Sequence, residues 1–337
     1  MRRVETHPSI PQRVLWWIAA AFVVVIPLYV SPRADDVFRL PKELLLRAEG
    51  ILIVAVVAAS VIWQPREFRD FLFDRVTGLG VAACAFATVI ATALSTNRAI
   101  SAISAAYVLS CIVAFWGVYI GAAGRSLTAV VVVGSAAGIV NALIAIVQRL
   151  GWWNPFQFDP SISDRMQITA LVGNPNDTGA SLAVCFVALA AFVCIKRRAV
   201  PAGTALLLLI GVVASDALTA MLAVAAAGAV LAVLASRLAL LSVGIIALAF
   251  VSLVATLPAL RARAALYTAA ARARDYDLLT DHRIVGYMTA WMIFRDHPLT
   301  GAGPGTFKWH YLPYRLQVEA HHPEYYLKMN ESLGEVH

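Results

Sequence analysis

The chain has 337 residues, of which 60% are hydrophobic and 14% charged, with a mean hydropathy of +0.75 and a formal net charge of +7. No soluble domain of this size needs so much apolar surface, so a water-soluble enzyme is excluded and a polytopic membrane protein is indicated. So little aqueous surface also argues against a nucleic-acid partner; basic loops facing anionic headgroups account for the charge, and membrane lipids are the expected neighbours.

Nine mostly apolar stretches follow one another: Val14 to Val30, Leu44 to Trp63, Val76 to Leu94, Ala99 to Ala123, Leu127 to Val147, Gly179 to Ile195, Val200 to Ala214, Ala217 to Ala235 and Leu238 to Leu257. About 20 apolar residues cross roughly 30 Å of hydrocarbon as a helix, and the sixth and seventh stretches sit at the margin of that length. Runs this long without period-two alternation read as helices, not barrel strands. The first follows Arg2, Arg3 and Arg13, but Val30-Ser-Pro-Arg offers no small-x-small cleavage site, so it reads as a retained helix. Cys84, Cys111, Cys185 and Cys194 all fall inside these stretches without ligand spacing, which makes them packing residues. The expected fold is all-α, a transmembrane bundle of about nine helices over 1–257, including a loop at 148–178, followed by a large aqueous helical segment over 258–337.

Basic residues in short loops set the orientation. A cytoplasmic N-terminus gathers Arg66, Arg69 and Arg75, then Arg125, then Lys196 to Arg198, then Arg237 on the cytoplasmic face, with the triplet as the strongest vote. Counting spans outward sends Gln148 to Thr178 and Pro258 to His337 to the same, opposite side. At the membrane edge, Arg47 and Glu49 read as a possible pair and Asp216 as an outer-turn residue, all three near a lipid access route.

The first polar segment carries Arg165 and then Gly173-Asn174-Pro175-Asn176. Asn-Pro-Asn signals a turn, and a helix opening at Gly179 gives Asn174 to Thr178 a capping role at an anion-favouring N-terminus. The second segment opens with an arginine-studded alanine-rich helix from Arg261 to Arg274, whose simplest reading is a helix lying at the headgroups. Another helix is predicted from Thr280 or Asp281 through Arg283 to Phe294, with Ile284, Tyr287, Met288, Trp291 and Met292 on one face; Pro298 prevents its continuation. Then comes Pro298-Leu-Thr-Gly301-Ala-Gly303-Pro-Gly305-Thr-Phe307, equally readable as a turn or as a loop that lets backbone approach a ligand. His297 and His310 beside it read as packing or surface residues.

Arginine ahead of Gly-Asn-Pro-Asn, arginine ahead of an apolar-aromatic helix and Pro-Leu-x-Gly-x-Gly-x-Gly-x-Phe, and many spans before a large outer segment resemble the O-antigen ligase and polymerase superfamily. The resemblance implies transfer of a glycan from undecaprenyl diphosphate to an acceptor hydroxyl at the periplasmic face of a bacterial inner membrane. It maps two phosphate-gripping arginines onto Arg165 and Arg283, residues whose permanent charge and forked donors suit a diphosphate. It also implies a histidine base late in the periplasmic segment, which His337 after Gly-Glu-Val fits best, with the pair His321-His322 as the alternative. Asn174, Asn176, Gly301, Gly303, Gly305, His321 and His322 are the expected substrate-binding residues. Against the family pattern the sequence stops at His337, before the rest of that motif and the final helices, so it reads as a C-terminally truncated member.

No cluster of His, Asp and Glu stands out in the sequence, so metal-independent inverting transfer without a cofactor is expected. The donor is an undecaprenyl-diphosphate-linked glycan and the acceptor lipid A-core or another hydroxyl. An O-antigen polymerase or a protein O-oligosaccharyltransferase differs only in acceptor. A transporter of an anionic lipid-linked or sugar substrate is the rival of another class, disfavoured because its site belongs at the midplane, often within repeats.

Overall fold

A computed structural model describes residues 9–63, 75–156, 166–196, 199–234, 258–280 and 283–325. Among them are twelve α-helices and no strand: α1 Ile10–Leu28, α2 Arg39–Trp63, α3 Arg75–Ala93, α4 Arg98–Ala122, α5 Leu127–Arg149, α6 Pro175–Lys196, α7 Ala199–Ala214, α8 Leu218–Leu234, α9 Pro258–Ala273, α10 Tyr276–Leu279, α11 Ile284–Asp296 and α12 Phe307–His321. The all-α polytopic fold is as expected. Helices α1 to α6 are long and apolar enough to cross a membrane, which makes the chain a multi-pass membrane protein.

The eight predicted stretches that fall on described residues are helical, and the ninth, Leu238 to Leu257, lies outside those residues. The sixth is not marginal. It starts four residues before Gly179, at Pro175, because Asn174 serves as N-cap and proline suits the first helical position, giving α6 22 residues. The short helices are α7 and α8, at 16 and 17 residues.

The chain divides into two compact units, one of residues 1–78 and 110–247 and the other of 79–109 and 248–337. In the first, α1, α2, α5, α6, α7 and α8 pack through small residues, since apolar contact with lipid gives helices no hydrophobic reason to associate and close backbone approach must supply the attraction. A Cβ on Gly211 of α7 would come within 2.7 Å of Ala142 Cβ on α5, and one on Gly121 within 2.7 Å of the Trp16 backbone nitrogen. Leu15, Ile53 and Ile120 form a buried cluster where α1, α2 and α4 meet.

In the second unit, α11 and α12 form a hairpin whose core is Val285 against Val318, flanked by Ile284, Met288 and Met292. By contrast, α3 leaves no residue of Val76–Ala93 buried, as expected of a helix whose neighbour is lipid. The α11 boundaries also correct the sequence reading. Thr280 closes α10, which Asp275 caps through the Leu278 N–H at 3.2 Å, and Arg283 is the N-cap of α11. The predicted single face of α11 splits: Ile284, Met288 and Met292 turn toward α12, while Tyr287 and Trp291 are exposed on the other side.

Candidate active site

The polar segment before α6 is held in place by side chains reaching up from the bundle. Asn141, fully buried on α5, accepts the Leu171 N–H at 2.9 Å and donates to Ala137 at 3.0 Å. Two turns later on the same face, Gln148 accepts the Ala170 N–H at 2.8 Å. Lys42 on α2 donates to the carbonyls of Leu171 and Val172, and Thr178 donates to that of Thr169 at 2.8 Å. These contacts fix a backbone in which Ala170 has φ +45° and Gly173 φ +108°. They deliver Asn174 to the N-terminus of α6, where its Oδ1 accepts the Asn176 N–H at 2.8 Å and its carbonyl accepts the Thr178 N–H at 2.8 Å. Asn174 is therefore the cap, and Asn176 belongs to the first turn of the helix. Arg165 lies outside the described residues.

The glycine loop is seated differently. Its glycines have φ of +65° at Gly301, +118° at Gly303 and +71° at Gly305, conformations that side-chain-bearing residues rarely adopt. Its carbonyls are taken up by the α3–α4 turn and the first turn of α4. The Thr96 N–H donates to Ala302 O at 3.1 Å, Thr96 Oγ1 to the same oxygen at 3.0 Å, and Ser101 Oγ to Pro304 O at 3.0 Å. Ser95 Oγ lies 2.7 Å from Ser101 Oγ. A Cβ on Gly303 would overlap the Ser95 side chain, and one on Gly305 the Ser104 hydroxyl. Thr96 Oγ1 also meets His310 Nε2 at 2.9 Å. His310 is thus an anchor of the loop, a role its sequence context did not announce.

Arg283 stands exposed at the opposite end of α11 from the glycines, roughly 18 Å away along the axis at 1.5 Å per residue. It makes no side-chain cap, so Arg283 stands at the end of α11 where the first-turn amides favour an anion. Asp281, the alternative start predicted for this helix, lies outside the described residues. Because Val285 packs on Val318, that end of α11 adjoins the C-terminal end of α12, where His321 and His322 stand. His321 Nδ1 is 2.7 Å from Gln317 O, and His322 Nδ1 is 3.1 Å from Glu324 Oε1. Hydrogen bonds from its own backbone and from His322 hold the Glu324 carboxyl below its usual range. At the other end, a 2.6 Å hydrogen bond to Asp296 pushes the Tyr314 phenol up. The hairpin thus collects one arginine and two histidines at one end and the glycines at the other. His337 lies outside the described residues.

Residues 203–327 match a family model described as O-antigen ligase. That stretch, a little over a third of the chain, is similar to the O-antigen ligase family. It contains Arg283, the glycine loop and His321-His322, and the similarity suggests a glycosyltransferase-like function of the O-antigen ligase or polymerase kind. Lipid-linked glycans and lipid acceptors are the partners the family implies in general. No curated protein and no solved structure matches the chain.

The sequence reading missed the tethers of both loops. Asn141 and Gln148 carried a signal, two amides seven residues apart in an apolar span, and an uncharged polar side chain at membrane depth needs a partner. The Ser95-Thr-Asn turn carried none, since such turns are common between helices. Arg47 pairs with Glu43 at 4.0 Å and not with Glu49, which is buried with Oε1 lacking a hydrogen-bond partner.

Proposed function

We propose that the protein transfers a glycan from undecaprenyl diphosphate to a hydroxyl acceptor, lipid A-core in the first instance, at the periplasmic face of a bacterial inner membrane. The observation that carries this reading is Arg283, exposed at the uncapped N-terminus of α11 within the stretch that matches the O-antigen ligase family. A guanidinium beside free helix amides grips a diphosphate bidentately and lowers the charge that builds on it as the sugar leaves.

In this reading Arg165 supplies a second guanidinium from the segment before α6, and Asn174 and Asn176 shape the helix terminus next to it. The acceptor oxygen attacks the anomeric carbon from the face opposite the diphosphate, the bond from that carbon to the phosphate oxygen breaks, and configuration inverts. The acceptor proton passes to an imidazole, His337 first and His321 or His322 as the alternative, and lipid diphosphate departs with the bond's electron pair. Gly301, Gly303 and Gly305 set the hairpin that carries Arg283.

The test is transfer by the full chain in proteoliposomes with undecaprenyl-diphosphate-linked glycan and lipid A-core. Arg283→Ala and Arg165→Ala are expected to abolish product while the protein stays in the membrane; full activity in both overturns the assignment. Product on a second glycan chain or on a protein hydroxyl, with none on lipid A-core, replaces the acceptor and keeps the chemistry.

A further inference from the structure

Helix α12 carries an apolar stripe that no described residue covers. Trp309, Leu312, Pro313 and Leu316 recur at i, i+3, i+4 and i+7, the spacing that puts side chains on one face. The three large ones are 57% to 61% exposed, and Phe307 at the start of the helix and Leu299 ahead of the glycine loop are exposed too. The opposite face is occupied: Val318 is in the hairpin core, and Arg315 is buried in an ion pair with Glu319 at 2.8 Å. A stripe of this kind is costly against water.

The origin of the helix identifies its neighbour. Immediately before α12, Ala302 is hydrogen-bonded to Thr96 in the turn that ends α3 and Pro304 to Ser101 in the first turn of α4, and His310 in the first turn of α12 is hydrogen-bonded to Thr96 as well. Helix α3 is one of those long and apolar enough to cross a membrane, and no residue of Val76–Ala93 is buried, the character of a span that faces lipid and whose end lies at the edge of the hydrocarbon. Helix α12 therefore starts at the membrane boundary. Its composition suits that depth: low net hydrophobicity, tryptophan on the stripe, Lys308 beside Trp309 at 5.8 Å, and its acidic residue Glu319 engaged with Arg315.

We propose that α12 is an interfacial helix, with Trp309, Leu312, Pro313 and Leu316 lying in the boundary between headgroups and acyl chains of the leaflet at which α3 ends. Its partner is the bilayer surface itself. Bedded there, α12 holds the α11–α12 hairpin against the membrane. The inference concerns anchorage and stands apart from the identity of the glycan donor and acceptor.

Full-length protein in liposomes carrying a phospholipid with a photoactivatable diazirine tests it, with adducts mapped by peptide mass spectrometry. Adducts are expected on Trp309, Leu312 and Leu316 as well as along α3, and absent from Arg315 and Val318. Labelling of α3 with none on α12 overturns the proposal, as does labelling of both faces of α12 alike. A second readout uses Trp309→Phe in bilayers with bromines placed near the headgroups: loss of part of the quenched tryptophan signal supports the proposal, and an unchanged quenched fraction overturns it. Glycan transfer assayed on the same samples separates the two readings, since absent transfer with α12 labelled refutes only the proposed function.

Discussion

The protein fixes two loops at helix ends by opposite means. The segment before α6 keeps ordinary side chains and is gripped by amides and an ammonium rising from α5 and α2, whereas the glycine loop sheds its own side chains and settles on the hydroxyls of the α3–α4 turn and the first turn of α4. In the first case the specificity lies in the bundle, in the second within the loop. The difference teaches where each is vulnerable: the first fails when a tether is shortened, the second when a methyl group is added.

The largest effect is expected from Gly303→Ala, which adds a Cβ into the Ser95 side chain at φ +118°. Overlap and backbone strain together cost on the order of 2–4 kcal/mol, read as a fall in the thermal midpoint of the detergent-solubilised protein. A midpoint equal to that of the unaltered protein removes the argument for a close seat. Next comes Asn141→Ala, which leaves the Leu171 N–H without its acceptor in a buried setting and costs about 1–3 kcal/mol. If its effect exceeds that of Gly303→Ala, the contrast between the loops is inverted.

Asn174→Ala should cost about 1 kcal/mol, the usual worth of an N-cap. Faster amide exchange in the first turn of α6, with the rest of the helix unchanged, is the accompanying signature. Smallest of all is Glu324→Gln at the exposed end of the hairpin. Because the Glu324 carboxyl is held below its usual range, its stabilising contribution is present above the ordinary carboxylate range and fades as pH falls through the lowered value. Any difference in midpoint between the Glu324→Gln variant and the unaltered protein should therefore shrink on acidification, and one that grows contradicts the cause given.

The helices were legible because the apolar runs are long and their punctuation explicit. Pro298 stops α11 as predicted, and the order of spans survives. Boundaries slipped where two signals competed: Asn174-Pro175 is both a turn motif and a helix start, and the backbone chose the start because its cap could be satisfied there. The split face of α11 was illegible for another reason. Tyr287 and Trp291 are apolar enough to look like core, yet periodicity alone cannot distinguish a face turned to protein from one turned elsewhere. Of the candidate site, Arg283 was placed by motif order, and its position beside His321 and His322 follows from the pairing of Val285 with Val318, a contact between residues too distant in sequence for any local pattern to reveal.

Helix α7 has one more consequence. Its 16 residues rise roughly 24 Å, less than the hydrocarbon of an ordinary bilayer, and the buried Ser215 that follows it lies against Gly179, one turn inside the start of α6. The end of α7 thus lies about one helical pitch, some 5 Å, inside the start of α6 that Asn174 caps. A span this short is matched by a bilayer that thins beside it, at a modest cost per ångström of mismatch.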